Sequence, residues 1–279
     1  MKKSVLLWLL AFVLTVFTAV YQRMTGPTYP VSGEVKLGNQ TIEYKLDRSH
    51  GGEGDHKIQI QVKDDKICGE LIWKRYKTNN EWSSVELMRE GDKLFAFLPH
   101  QPPAGKLLYH VVLQKNDEVV TLPESGEVII RFKGDVPISF LIPHIIFIFG
   151  AMLLSTRTGL EYFNAGKKIK SLTLITVLFL IVGGFILGPI IQKYAFDAFW
   201  TGFPFGHDLT DNKVLIAFIG WLLALIALYK FKNPRRWIIF ASILMFIIFL
   251  IPHSMLGSEL DYNQLENKSK IENQSEIKK

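Results

Sequence analysis

Two histidines in identical four-residue contexts are the residues best placed to do chemistry in this sequence. Leu-Ile-Pro-His occurs at residues 141–144 and again at 250–253, and both copies lie in long apolar segments. An ionisable side chain within an apolar span usually marks a functional site. A six-coordinate haem b needs one neutral imidazole from each of two opposed helices. His144 and His253 are therefore the candidate cofactor ligands.

A structural interpretation of the same histidines is open, and it is the one we favour. The half-polar ring of His253 would lie at a membrane interface, and His144 would hydrogen-bond a neighbouring helix or a carbonyl group freed by Pro143. On this interpretation the protein needs no cofactor. Haem b or a transition metal is the alternative.

The segment 193–213 is a second concentration of candidate residues. It is rich in aromatic residues, is bent by glycine and proline, and contains three carboxylates. His207 and Asp208 could line a small pocket with the two histidines above and there bind a metal ion or relay protons. Alternatively, Asp208 or Thr210 caps the following helix while the aromatic residues anchor the chain at a membrane interface.

A third group of candidate ligands lies in the glycine-rich segment 49–56. It places His50 and His56 beside Glu53 and Asp55, and imidazole is a common ligand of copper and zinc. Glycine next to aspartate is also ordinary turn chemistry, and no methionine or cysteine cluster accompanies the histidines. We therefore expect a turn without a metal here.

The elements that must position these residues are five long apolar segments, at 4–20, 136–156, 172–191, 214–229 and 237–256. Each is about long enough to cross roughly 30 Å of hydrocarbon at about 1.5 Å per residue, with tilt and snorkelling for the shorter ones. We predict a membrane α-helical bundle of about five transmembrane helices.

The charges between these segments are unevenly distributed. Residues 2–3, 157–170 and 230–236 together contain ten cations and one acid, whereas each remaining polar region has a net charge of −1. Because cytoplasmic loops are enriched in Lys and Arg, we expect the basic stretches and the N-terminus to be cytoplasmic. No basic surface is left for nucleic acid. The Lys-Lys start and the lack of long disordered regions are typical of a bacterial cytoplasmic membrane protein.

These patterns predict four regions. Residues 1–22 form a transmembrane anchor, although a cleaved signal peptide is the alternative for this segment. Residues 23–135 form an extracytoplasmic β-domain, residues 136–257 form a four-helix transmembrane domain, and residues 258–279 form a disordered extracytoplasmic tail.

The β-domain is predicted from an alternation of apolar and polar residues broken by turn residues at short intervals. The eight predicted strands are 31–37, 42–46, 57–62, 68–76, 84–89, 93–98, 107–114 and 128–133. We expect Trp73 and Trp82 to lie in the core of this domain. Cys68 is the only cysteine of the chain, so no internal disulfide can stabilise the domain.

The middle of this domain, residues 68–112, resembles an immunoglobulin-like or fibronectin-like module. The resemblance rests on Leu-Ile-Trp-Lys-Arg-Tyr at 71–76, on 82–87, on the Pro-ended segment 94–99 and on the Gly-initiated, Tyr-containing segment 103–111. It implies an all-β sandwich inserted into the membrane bundle. It implies no particular ligand, because such sandwiches have many unrelated functions.

The function we expect is that of a non-enzymatic integral membrane protein that presents this domain to another envelope component. Segments 26–30 and 134–137 tie both ends of the domain to the bilayer, so the partner should be a membrane-proximal protein or subunit. The alternative is a haem- or metal-binding redox protein. A hydrolase or transferase that uses Asp197, Asp208 or His207 is a third hypothesis, without a second convergent group in the sequence.

Overall fold

The computed structural model describes residues 2–164, 166, 168–253, 255 and 257–265. The chain divides into two compact units. The helical unit comprises Met1–Pro27 and Val136–Ser258, and the β-unit comprises Thr28–Asp135 and Glu259–Lys279. The protein therefore combines a set of apolar helices with β-sheets.

The helical unit is built from α-helices that follow the predicted apolar segments. In the described part of the chain they are α1 (Lys2–Thr25), α2 (Ile138–Leu160), α3 (Ile169–Leu180), α4 (Gly188–Phe196), α5 (Leu209–Lys230) and α6 (Arg235–Leu250). A π-helical segment, Ile181–Leu187, joins α3 to α4 into one long helical stretch.

Four helical stretches among the described residues are long and apolar enough to cross a membrane: Lys2–Thr25, Ile138–Asn164, Ile169–Phe196 and Leu209–Lys230. They correspond to the first four predicted segments. The fifth segment forms α6, which has 16 residues and is shorter than predicted. The helix ends there because Ile251 adopts an extended conformation, as expected for a residue that precedes proline.

Side-chain bonds fix the directions of the helices. At the start of α1 Ser4 accepts a hydrogen bond from Arg157 near the end of α2, over 3.3 Å, so these helices are antiparallel. Near the end of α1 the Gln22 amide donates to the carbonyls of Phe249 and Ile251 at the end of α6, over 3.1 Å each. The helices α1 and α6 therefore run in the same direction.

Two opposite ends of the helical unit follow from these directions. The basic end contains the start of α1, the end of α2 and the residues between α5 and α6. The acidic end contains the ends of α1 and α6 and the start of α5, where Asp208 and Asp211 lie. Between the two ends the core is apolar and centres on the fully buried Trp221, which packs with Ala151, Met152 and Met245.

The outward surface of the helical unit is also apolar. Phe12, Ile146, Leu178 and Phe240 are each more than half exposed. Exposing such a surface to water is unfavourable in free energy, whereas contact with hydrocarbon is not. This surface and the long apolar helices are typical of a membrane protein.

The β-unit contains the eight predicted strands and further short ones. Its strands are β1 (Val31–Leu37), β2 (Gln40–Leu46), β3 (Ser49–Gly51), β4 (His56–Gln61), β5 (Cys68–Arg75), β6 (Ser83–Glu86), β7 (Met88–Glu90), β8 (Lys93–Leu98), β9 (Lys106–Lys115), β10 (Glu118–Leu122) and β11 (Val128–Lys133). The predicted strand 84–89 is divided into β6 and β7, which belong to different sheets.

The strands form three sheets around one core. The largest has the order β3-β11-β9-β5-β6, with β10 also paired to β9, and the others are β4-β8-β7 and β1-β2. Alternate residues of β4 and β9 are buried, as a sheet with one solvated face requires. Ile42, Ile60, Leu71 and Val111 come from different sheets or strands and pack in the same buried cluster.

The expectation that both tryptophans lie in the core is correct for only one of them. Trp73 packs against the core cluster, whereas Trp82 is 40% exposed. Trp82 precedes β6, where the strand pairing sets Ser83 opposite Trp73 and places Trp82 on the opposite face of the sheet. The sequence did not reveal on which face of the sheet Trp82 lies, because residues 81–86 are mostly polar and do not alternate with apolar ones.

The predicted disordered tail begins with ordered residues. The Leu260 amide donates to the Ala104 carbonyl over 3.1 Å, and Tyr262 is 5% exposed within the β-unit. The Tyr262 hydroxyl accepts from the Lys106 amide at 3.0 Å and lies 3.1 Å from both Gln101 Oε1 and the Lys106 carbonyl. The prediction overlooked this segment because one tyrosine in a polar stretch has no periodicity. Residues 266–279 of the predicted tail lie outside the described residues.

Charges and shape complete this attachment. Glu259 forms ion pairs with Lys106 at 2.7 Å and with Lys77 at 3.0 Å. A side chain on Gly105 would come within 2.9 Å of the Tyr262 hydroxyl, so the absence of one at this position lets the ring approach the backbone. Burial raises the pKa of Tyr262 to about 12, and the hydroxyl therefore stays protonated at neutral pH.

Replacing Tyr262 with phenylalanine tests this attachment. The substitution Tyr262→Phe keeps the ring but leaves the Lys106 amide without its acceptor, which should destabilise the attachment by about 1–3 kcal/mol. Hydrogen exchange of the Leu260 and Lys106 amides should then become faster. The control is Tyr76→Phe, a half-buried tyrosine of the same unit, which should leave both amides protected; equal exchange in the two variants would contradict this account.

Candidate functional site

The densest polar cluster of the helical unit lies at its acidic end and centres on Asp208. This buried carboxylate caps α5, because its Oδ1 accepts from the Thr210 amide over 2.7 Å. Its Oδ2 accepts from the Ser258 amide at 2.9 Å, from the Ser258 hydroxyl at 3.1 Å and from the Thr201 hydroxyl at 3.2 Å. Asp208 thus connects the start of α5 to the segment that follows α6.

Thr201 links Asp208 to the second carboxylate of the cluster. Asp211 Oδ2 accepts from the Thr201 amide at 2.7 Å. Gln192 Nε2 donates to the Thr201 hydroxyl at 2.6 Å. The loop between α4 and α5 is therefore held by side-chain hydrogen bonds to both of its flanking helices.

Lys213 is the residue of this end that the sequence interpretation overlooked. It is the last residue of the polar segment 193–213, but it lies in α5 and is 4% exposed. Its ammonium donates to the Ile251 carbonyl over 2.7 Å, and no carboxylate of the described residues lies within 4 Å of it. Burying a cation without a neighbouring carboxylate costs free energy of folding, because the charge loses its hydration. The signal available in the sequence was its position five residues after the capping Asp208, which puts it inside the helix.

The two histidines of the Leu-Ile-Pro-His repeats lie at this same end. The Nδ1 atom of His144 is 2.9 Å from the Gly183 carbonyl in the π-helical segment, so Nδ1 carries the proton and Nε2 is left as the acceptor. His253 follows α6, is exposed, and lies within electrostatic range of His144, Lys213 and Asp208. The structure thus brings both predicted haem ligands to one end of the unit.

The predicted metal pair His207 and Asp208 is arranged differently. His207 is exposed, whereas Asp208 is buried and its two oxygens are used by four hydrogen bonds. Within the described ranges, no group of three or more His, Cys, Asp or Glu side chains is arranged to hold a metal ion. The structural role proposed for Asp208, that of a helix cap, is confirmed by its bond to Thr210.

The exchange Asp208→Asn separates the two roles of this carboxylate. Asparagine caps helices as well as aspartate does, so the bond to Thr210 is retained. An amide nitrogen in place of Oδ2 would instead face the donating Ser258 amide, and we expect a loss of about 1–3 kcal/mol. Thermal unfolding of the detergent-solubilised protein measures this. The control is Asp197→Asn at the exposed end of α4; if both variants melt alike, the Ser258 bond contributes nothing.

The basic end of the helical unit contains a fully buried ion pair. Arg157 Nη1 lies 2.6 Å from Glu161 Oε2, and both side chains are inaccessible to solvent. The Arg157 guanidinium also stacks over Trp8 with its central carbon 5.4 Å from the ring centroid. The sequence interpretation counted both charges as part of a solvated loop. Their spacing of four residues was the available signal, because it places them on one helix face.

The β-unit has one exposed surface that combines aromatic and apolar side chains. On the largest sheet, the residues that alternate with the buried Leu71, Tyr109 and Val111 point away from the core. They and the neighbouring tryptophan form a surface that we call the Trp82 face: Ile72, Lys74, Trp82, Leu108, His110 and Val112.

Trp82 is held in place on this face by two contacts. The His110 ring makes a T-shaped contact with Trp82, with ring centroids 5.3 Å apart. The Lys74 ammonium lies 4.6 Å from the centroid of the Trp82 ring. Such a cation–π contact is favourable even when exposed. The two contacts orient the Trp82 ring on this face.

His110 is the polar group at the centre of the Trp82 face. Burial lowers its pKa while the nearby Glu127 opposes this shift, so the ring is neutral at neutral pH. Its Nδ1 is buried and makes no hydrogen bond within the part of the chain that the structure describes. The adjacent strand β6 is exposed along its whole length and ends the sheet.

Comparison with known proteins adds no family to these observations. No protein-family model matches the chain, and no curated protein matches it.

Proposed function

We propose that this is a non-enzymatic membrane protein whose helices anchor the β-unit at the bilayer surface, where the β-unit binds a membrane-proximal protein partner. The observation that carries the proposal is the Trp82 face. A 40% exposed tryptophan, on a sheet face that also contains Ile72, Leu108 and Val112, is the type of residue that dominates protein interfaces.

The chemistry of the Trp82 face limits the kind of partner. The partner must cover Trp82, Leu108 and Val112 with apolar side chains. The exposed edge strand β6 could in addition pair with an extended segment of the partner. A protein chain can supply all of these groups at once.

We further propose the orientation that the charges predict, with the basic end of the helical unit in the cytoplasm. The chain passes between the helical unit and the β-unit after residues 27, 135 and 258. The ends of α1 and α6 are joined by Gln22, so they lie on the same side of the membrane. The number of crossings from the start of α1 to the end of α6 must therefore be odd, and α6 supplies the fifth. The β-unit and the C-terminal tail would both be extracytoplasmic.

Photo-crosslinking in cells that naturally produce the protein tests the partner proposal. Benzoylphenylalanine in place of Glu86, an exposed residue of β6, should give one discrete protein adduct. Adding Trp82→Ala should reduce that adduct more than 10-fold, because hot-spot residues contribute about 2 kcal/mol or more. Phe97→Ala is the matched control, since Phe97 is also 40% exposed but lies in another sheet. Absence of an adduct, or an adduct insensitive to Trp82→Ala, would contradict the proposal.

A second candidate function, haem binding between His144 and His253, is favoured by one observation. The Gly183 carbonyl fixes the proton of His144 on Nδ1, which leaves Nε2 as a ligand atom, as in many metal-bound histidines. Absorption spectra of the purified protein, oxidised and dithionite-reduced, should show a Soret band that disappears in His144→Ala and persists in His207→Ala. A colourless protein from haem-replete cells would rule this function out.

A further inference from the structure

A pair of histidines in the β-unit faces each other across a turn. His50 lies in β3 and His56 begins β4, and the intervening residues 52–55 form the glycine-rich connection. The two Nδ1 atoms are 3.0 Å apart, and the ring centroids are 4.8 Å apart. The Phe132 ring packs against His50 in a T-shaped contact, with ring centroids 5.4 Å apart.

The outward nitrogen of each ring faces an acceptor. His50 Nε2 is 3.1 Å from the Gly54 carbonyl oxygen, and His56 Nε2 is 3.8 Å from Asp47 Oδ2. A carbonyl and a carboxylate accept hydrogen bonds and cannot donate them. The Gly54 carbonyl therefore favours the proton of the neutral His50 ring on Nε2, whereas His56 Nε2 makes no hydrogen bond among the described residues.

With the His50 proton on Nε2, His50 Nδ1 is an acceptor, and His56 can donate its Nδ1 proton to it over 3.0 Å. That arrangement leaves the buried His56 Nε2 as a lone pair 3.8 Å from the Asp47 carboxylate, without a hydrogen bond among the described residues. With the His56 proton on Nε2 instead, both Nδ1 atoms are free to ligate, and a cation bound by both would replace the lost hydrogen bond.

We propose that His50 and His56 bind a divalent transition-metal ion, of the copper(II) or zinc(II) class, through their Nδ1 atoms. Metal–imidazole bonds are about 2.0–2.1 Å long, so nitrogens 3.0 Å apart subtend an angle of roughly 95° at the metal. That angle suits neighbouring positions of a tetragonal site, which copper(II) prefers. A carbonyl or carboxylate behind the ligating imidazole is the usual outer support of such sites.

The environment suits a site with two protein ligands and open positions. Burial lowers the pKa of His56, the neighbouring His50 lowers it further, and Asp47 partly opposes both, so the ring is neutral and able to ligate at neutral pH. His56 is 8% exposed, whereas His50 is only half-buried, so water can reach the remaining coordination positions. This inference reverses our expectation from the sequence that the segment is a turn without a metal.

Copper(II) titration of the purified full-length protein tests the site. The protein is stripped with a chelator, and glycine-buffered copper(II) is added in equilibrium dialysis and in electron spin-echo experiments. The expected result is one tight copper(II) ion per chain with a tetragonal signal and two imidazole nitrogens. The variant His50→Gln should weaken binding at least 10-fold, and His56→Gln, once circular dichroism shows that it is folded, should do the same.

The matched control is His100→Gln. His100 Nδ1 is 3.1 Å from the same Gly54 carbonyl, but this exposed residue provides no ligand in the proposed site. Its variant should bind copper(II) as the wild type does. The proposal is overturned if the wild-type protein binds no copper(II), if fewer than two imidazoles are detected, or if His50→Gln and His100→Gln bind equally well. None of these results depends on the partner of the Trp82 face.

Discussion

The attachment of Tyr262 to the β-unit is the constraint on which the proposed arrangement of the chain depends. Its hydroxyl satisfies the Lys106 amide, and its ring is buried over Gly105. The segment that follows the last helix is therefore part of the same unit that follows the first helix. A folded domain cannot lie on both sides of a membrane, so the number of crossings between residues 135 and 259 must be even. The long helical stretches between these residues supply three crossings, which supports a further crossing by the short helix α6, the fifth of the chain.

The helical unit concentrates its polar groups at its two ends. At the basic end Arg157 and Glu161 neutralise each other away from solvent, and at the acidic end Lys213 and Gln22 donate to the carbonyls that terminate α6. These carbonyls have no donor partner within their own helix, so donors from other helices satisfy them. The same bonds align α1, α5 and α6, and the apolar stretches between the two ends form the core and the apolar outer surface of the unit.

The strands could be predicted because burial of one face imposes a period of two on the sequence, and the first four long helices could be predicted because they are apolar over their whole length. β4 and β9 alternate strictly, and α1 and α2 are continuously apolar. Single residues whose role depends on distant partners could not be found in this way. Tyr262 lies in a polar stretch, and Trp82 lies in a segment without alternation, so neither has a pattern that indicates its environment.

The candidate sites show the same limit. The repeated Leu-Ile-Pro-His identified two histidines that do lie at one end of the helical unit, because helix direction follows from the order of the apolar segments. The burial of Lys213 depends on where α5 begins, which is set by the Asp208 cap rather than by hydropathy. The facing of His50 and His56 depends on the pairing of β3 with β11, a non-local contact that the spacing of residues does not reveal.

The measurement that tests the central claim most directly uses Cys68, which is exposed on β5 and is the only cysteine of the chain. A membrane-impermeant maleimide is applied to intact spheroplasts and, separately, to lysed ones. If the β-unit is extracytoplasmic, Cys68 is labelled before lysis, and a cysteine that replaces Lys232 in a Cys68→Ser protein is labelled only after lysis. Protection of Cys68 until lysis would contradict the orientation, and with it the proposal that the Trp82 face meets an envelope partner.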